Sequence, residues 1–459
     1  MNEFKLKGKW WLPSTPERKI YGYLNYDLRN GAHLDLLESL KKVGGKVTIS
    51  SKWQTIDKIF GMANNREITL YKGAPHSLFE ARMLNVFIGK HIEDVENLKI
   101  KEAEVSYTYL KEWVNKPLCI YPRKDETYNR KTIIYEYCPK ERIEAQIDDL
   151  KISIEFKSNP SIYTEQGLCI EEYPVLKFYF NTAKIFKEIK QLIFSLADLL
   201  TFTVGYYSFP TKIILKTEGE KNIDYYYTLA YKGKIAENIR INKILFTLKD
   251  FPEMLNIYIT NWFRIYDEYD LAYVVRSVYD RTLPFELCFV NLVEFLGKYG
   301  GGRENDFIKK EVWFDRLGDI SNCVLNILPE DYRSCEINNE LKEKLKHIYK
   351  KTLKKKLIEV LKEPTLKELF RRLNFNSEDF VERVKRQRNK IVHLMEYLRN
   401  KIDEFYKIRN DLELLSVIFE FIILKELGFN EIQINSILNR VIDYGRYIFI
   451  NEKDIEVLR

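Results

Sequence analysis

In RQRNKIVHL, residues 386–394, Arg388 and Asn389 stand five and four positions ahead of His393. These residue types suit the scissile phosphate of RNA. A guanidinium can hold the non-bridging oxygens and stabilise the charge that builds on phosphorus. An imidazole can take or give the proton. Asn389 could orient the histidine or bind the phosphate. With the 2′-OH of the substrate as nucleophile, such a site needs no metal and no other cofactor. The bland alternative is a solvated basic helix face, because a bare R-x-x-x-x-H arises often by chance.

Position decides between the two. Five residues on a regular helix turn through about 500°, which leaves the two side chains about 140° apart. One helix therefore cannot aim both at one phosphate. Two arrangements can: the motif straddles a helix start, or two chains pool their motifs across a dimer. The surrounding pattern is helical. NSEDFVERVKRQRN reads as a helix start, with Asn376 or Ser377 as N-cap and acids in the first turn. NELKEKLKHIYKKTLKKKLIEVLKE reads as one long helix stopped by Pro364, and its Lys350, Lys351, Lys354, Lys355 and Lys356 add positive charge. Such charge attracts a phosphodiester backbone without reading its sequence. PFELCFVNLVEFLGKYGGG reads as a helix ended by glycines, and amphipathic helix continues to about residue 446.

The first half differs. KVTIS, EITLYKG, RMLNVFIGKHI, EAEVSYTYL, TIIYEY, KISIEFKS and VLKFYF are short runs rich in Val, Ile, Tyr and Phe. Between residues 184 and 203 the period becomes helical, with Ile185, Ile189, Leu192, Leu196 and Leu199 on one face. Strand-like TKIILKT and DYYYTLAY follow. The expected class is α+β: a β-rich region over 1–248 with an inserted helix, then a helical bundle over 249–459.

Bulk properties exclude several function classes. A chain of 459 residues implies more than one domain, and a net charge of +7 permits a polyanionic partner without demanding one. Cys119, Cys138, Cys169, Cys288, Cys323 and Cys335 are scattered with no C-x-x-C pair, which argues against a disulfide framework or a zinc cluster. Cys335 and His347 are metal ligands by type, but read as a core thiol and a surface histidine. No histidine–acid or paired-acid spacing suits a metal nuclease. Gly300, Gly301 and Gly302 lack the Lys-Ser/Thr of a phosphate loop. MNEFKLKGKWWLP has no apolar signal core, and SVIFEFIIL contains Glu420 and is too short to span a bilayer. A cytoplasmic protein without a membrane partner is expected.

Arg388, Asn389 and His393 match the R-x(4–6)-H motif of HEPN ribonucleases, which often place a polar residue after the arginine. The N-terminal KGKWWLPSTPERKIYGYLNYDLRNGAHLDLLESL resembles the W-x-P, G-x-L-x-(F/Y) and G-x-x-L-x-L layout of ApeA-type anti-phage proteins. DFPEMLNIYITNWFRIYDEYDLAYVVRSVY and FELCFVNLVEFLGKY resemble the start of that family's HEPN region. The resemblance implies a homodimer that pools two motifs and cuts RNA, with tRNA in the anticodon region as substrate and abortive infection as outcome. It also implies a phage-encoded trigger protein, sensed by the β-rich half. Trp10, Trp11 and Trp53 are candidate contacts for it, although tryptophans more often pack a core. The family commonly carries an acidic residue where Gly297 stands here, and Glu294, one turn earlier, could substitute. The competing reading is a non-catalytic RNA- or protein-binding module with a degenerate HEPN bundle.

Overall fold

Inward apolar residues alternate with outward polar ones along FKLKGKWW and IYGYLNYD, and this pattern builds the first strands of the computed structural model. The structure describes residues 3–40, 55–77, 79–115, 120–124, 133–137, 141–158, 162–164, 167–169, 172–231, 233–280, 282–299, 310–327, 335–345, 352–393 and 402–449. They fall into two units: Met1–Tyr266 with Tyr279–Thr282, and Asp267–Val278 with Leu283–Arg459.

The first unit opens with β1 (Phe4–Trp11), β2 (Ile20–Asp27), β3 (Gly31–Leu36), β4 (Ile56–Ala63), β5 (Arg66–Pro75) and β6 (Glu80–Ile88). They pair antiparallel in the order β6–β3–β2–β1–β4–β5, and β5 pairs back onto β6, closing a barrel. Trp10, Leu24, Leu34, Ile59, Ile68, Leu70 and Val86 fill its interior. Two glycines are steric requirements. A Cβ on Gly61 would lie 2.2 Å from the Trp10 ring, and one on Gly22 would lie 2.4 Å from the Asp35 carbonyl oxygen. Trp10 and Trp11 are core residues at 0% and 7% exposure, not surface contacts, because β1 turns both into packed surroundings. Trp53 and KVTIS lie outside the described residues.

The remaining elements of this unit are β7 (Lys99–Tyr107), α1 (Leu110–Val114), β8 (Ile120–Lys124), β9 (Ile133–Tyr137), β10 (Ile143–Ile147), β11 (Leu150–Ser158), β12 (Ile162–Thr164), β13 (Gly167–Cys169), β14 (Glu172–Ile185), α2 (Phe186–Val204), β15 (Pro210–Thr217) and β16 (Asn222–Tyr227). β6 also pairs with β16, and the sheet runs on through β15, β7, β14 and β11 to β10. β10 is its last strand. α2 is the inserted helix, and every residue from Ser195 to Val204 on it is buried. Gly205, at φ +81°, ends it in the left-handed conformation that favours glycine. α3 (Leu255–Glu268) docks on α2: the Trp262 indole N–H donates to the Ser195 carbonyl at 2.9 Å.

The second unit is helical: α4 (Leu271–Tyr279), α5 (Phe285–Tyr299), α6 (Lys310–Ile327), α7 (Cys335–Leu345), α8 (Leu353–Val360), α9 (Pro364–Arg372), α10 (Ser377–His393), α11 (Ile402–Leu427) and α12 (Glu431–Asp443). The lysine-rich segment is not one described helix. α7 is described to Leu345, and α8 starts afresh at Leu353, where the Thr352 hydroxyl accepts from the Lys355 N–H. Pro364 opens α9 rather than merely ending α8, since its missing N–H costs nothing in a first turn. α11 is buried almost all round from Leu414 to Leu424. Its Glu420, at 0% exposure, is paired with the Arg446 guanidinium at 2.9 Å and accepts from the Tyr447 hydroxyl.

Candidate active site

α10 carries Arg388, Asn389 and His393. Its start follows the expected chemistry: the Asn376 side-chain oxygen accepts from the N–H groups of Glu378 and Asp379 at 2.9 and 3.1 Å. Glu378 and Asp379 then place negative charge against the helix N-terminus. Phe380, Val381, Val384 and Ile391 bury one face.

A buried polar group fixes that face. Asp411 of α11 is fully buried and receives the Arg383 guanidinium as a fork, Nη2 to Oδ1 at 2.8 Å and Nε to Oδ2 at 3.1 Å. The Gln387 amide donates to Asp411 Oδ2 at 3.0 Å. Burial pushes the Asp411 carboxyl up, and the charge and hydrogen bonds of Arg383 pull against it. Bidentate geometry of this kind fixes rotation as well as distance. It pins α10 against α11 immediately before Arg388.

Arg388 projects from another side of α10, about 100° round from Gln387 and about 140° from Arg383. Its Nη2 donates to Glu294 Oε1 of α5 at 3.2 Å, with the two side chains 41% and 56% exposed. Its Nε is buried with no hydrogen-bond partner among the described residues. Asn389 is exposed beside it. His393 is the last described residue of α10. The motif does not straddle a helix start: α10 begins at Ser377 and carries both positions on one uninterrupted helix. Positions 388 and 393 are then separated by about 7.5 Å along the axis and about 140° around it. The structure thus joins Arg388 to Glu294, leaves Asn389 alongside, and sets the His393 position on another side of the helix.

α5, α8 and α10 pack together around this point. Lys356 Nζ of α8 donates to the Gly297 carbonyl of α5, and Lys354 pairs with Glu382 of α10. The basic run is therefore less free than its composition suggests: Arg383 is consumed by Asp411, Arg388 is paired with Glu294, and Lys354 is paired with Glu382. Lys385 and Arg386 remain exposed on α10. Lys350, Lys351, His347 and Gly300 to Gly302 lie outside the described residues, as does the side chain of Cys335. Arg383, Gln387 and Asp411 escaped sequence reading. Their one signal is Asp411 at the head of LELLSVIFEFIIL, a mostly apolar stretch.

Two family models match the chain: ApeA N-terminal domain 1 over residues 5–262, and Apea-like HEPN over residues 290–433. The second span takes in Glu294, α10 and Asp411. No curated protein and no solved structure matches. Among the described residues, no helix is long and apolar enough to cross a membrane.

Proposed function

The chain belongs to the ApeA family of HEPN nucleases in anti-phage defence, and from that premise we propose that it is a metal-independent endoribonuclease. Its substrate is RNA, with tRNA cut in the anticodon region, and its setting is the cytoplasm of an infected cell. The observation that carries this reading is the Arg388–Glu294 pair on a rigidly pinned α10 inside the HEPN span.

In the proposed reaction the substrate 2′-OH attacks phosphorus and the P–O5′ bond breaks. His393 acts as general acid/base, taking the proton from the 2′-OH or returning one to the departing 5′ oxygen. Arg388 holds the non-bridging oxygens as charge builds on them. Asn389 assists at the phosphate, and Glu294 orients the guanidinium until the phosphate takes it over. The products carry 2′,3′-cyclic phosphate and 5′-OH ends. Because one helix turns the two motif positions apart, two chains pool their motifs: Arg388 of one faces His393 of the other. The β-rich unit acts as the sensor that restrains cutting until a phage-encoded trigger arrives.

The test is to incubate wild-type and His393→Ala protein with total bacterial RNA in EDTA, alone and with infected-cell extract, and to map the fragment ends. Cuts by the wild type only, with cyclic phosphate ends, are the expected result. Silence of the wild type under both conditions, with dimerisation intact, would overturn it in favour of a non-catalytic binding module.

A further inference from the structure

A second chemistry-bearing cluster lies in the barrel. His33 and Asp35 lie two residues apart on one strand, and only the sheet register brings Glu80 to them. Along β3, Ala32, Leu34 and Leu36 turn inward, leaving His33 and Asp35 on the outer face. The β3–β6 register sets Asp35 directly opposite Glu80 and His33 opposite Arg82. We propose that His33, Asp35 and Glu80 bind a divalent transition-metal ion of the zinc class.

The donor set fits. His33 Nε2 lies 2.9 Å from Asp35 Oδ1, and one donor atom from each of the three residues lies within 4.8 Å of the others. Ions of this class sit about 2.0–2.2 Å from nitrogen and oxygen donors, so small side-chain rotations close the set around one ion. One imidazole and two carboxylates, without a thiolate, favour zinc and its first-row neighbours over calcium or magnesium. Asn25 Nδ2 donates to Asp35 Oδ2 at 2.9 Å, which leaves Oδ1 aimed at His33. Hydrogen bonds of that kind orient metal-binding carboxylates.

Two further observations favour an ion over a simple surface pair. Carboxylates directly opposite on neighbouring strands repel, and a cation between them reverses that cost. Arg82 does not neutralise them: it forms no ion pair among the described residues. His76 supplies a neighbouring imidazole, its ring 6.4 Å from that of His33. Its backbone N–H donates to the Glu80 carbonyl at 2.8 Å, so the turn that bears it is tied to the same strand. His76 can complete a fourth position, and His33 and Asp35, at 32% and 43% exposure, leave the ion a route in.

The test needs no nuclease activity. Chelator-stripped full-length protein is titrated with Zn²⁺ and with Co²⁺, as wild type, His33→Gln and Glu80→Gln, with circular dichroism confirming each fold. The expected result is one Zn²⁺ per chain at this site, weakened more than about tenfold in each variant. Bound Zn²⁺ raises the melting temperature of the wild type and not of the variants. Co²⁺ gives a nitrogen/oxygen spectrum without thiolate-to-metal charge transfer. No binding by the wild type, equal affinity in both variants, or a thiolate band would overturn the proposal. Should one glutamine variant unfold, the other decides.

Discussion

The two units hold their polar groups in place by different means. In the barrel, backbone register does the placing: Gly22 meets the Asp35 carbonyl, and Asp35 meets Glu80, because the ladders leave no other pairing. In the helical unit, side-chain ion pairs do it: Arg383 with Asp411, Arg388 with Glu294, Lys354 with Glu382. A slip of register would therefore scatter the strand cluster, whereas loss of one distant charge frees a helix side chain to swing.

Six substitutions, two of them companions to another, probe that contrast. Arg388→Ala removes a half-exposed side chain whose one ion pair, to Glu294, lies at the surface. It should lower RNA cleavage by about 100-fold or more while melting stays unchanged; a drop in melting temperature instead would assign Arg388 to the scaffold. Asp411→Ala should be the most destabilising of the set, near 3 kcal/mol, because it strands the Arg383 guanidinium against a buried face. Denaturant unfolding measures it, and Arg383→Met should cost a comparable amount, because it leaves the buried Asp411 carboxylate without its charge partner. For the barrel, Gly61→Ala drives a Cβ into the Trp10 ring and should cost about 1–3 kcal/mol. Pairing it with Trp10→Leu should recover part of the loss, and a purely additive double mutant would contradict the steric account. Asn376→Ala removes the cap of α10 and should cost about 1 kcal/mol, read as a small shift in the urea midpoint.

The same contrast explains what was legible in the sequence. The cap at Asn376, the period of α2 and the alternation in β5, β7 and β11 are local, and local rules find them. The lysine-rich stretch misled because helix propensity is continuous across it, whereas the chain restarts at the Thr352 cap and again at Pro364. Trp10 was a candidate surface contact with core packing the commoner fate for its residue type, and Gly61 supplies the space beneath its ring. Arg388, Asn389 and His393 were visible as a motif, yet their 140° divergence only acquired a definite meaning once α10 proved unbroken. Asp411 with Arg383, and His33 with Glu80, join residues remote in the chain, and no window along it could have paired them.

β10 gives the sheet its end. Barrel closure removes the edge on one side, so among the described strands of the large sheet this five-residue strand is where another chain could dock and extend the ladder. Short edge strands resist such recruitment. The Gln146 N–H also donates to Asn256 Oδ1 of α3 at 2.9 Å, which occupies one hydrogen-bonding group of the strand. Arg142 and Lys151 beside Glu144 add charge there. α3 thus covers part of that edge, and truncation before Asn256 should increase edge-to-edge association, read as light scattering against the full-length protein.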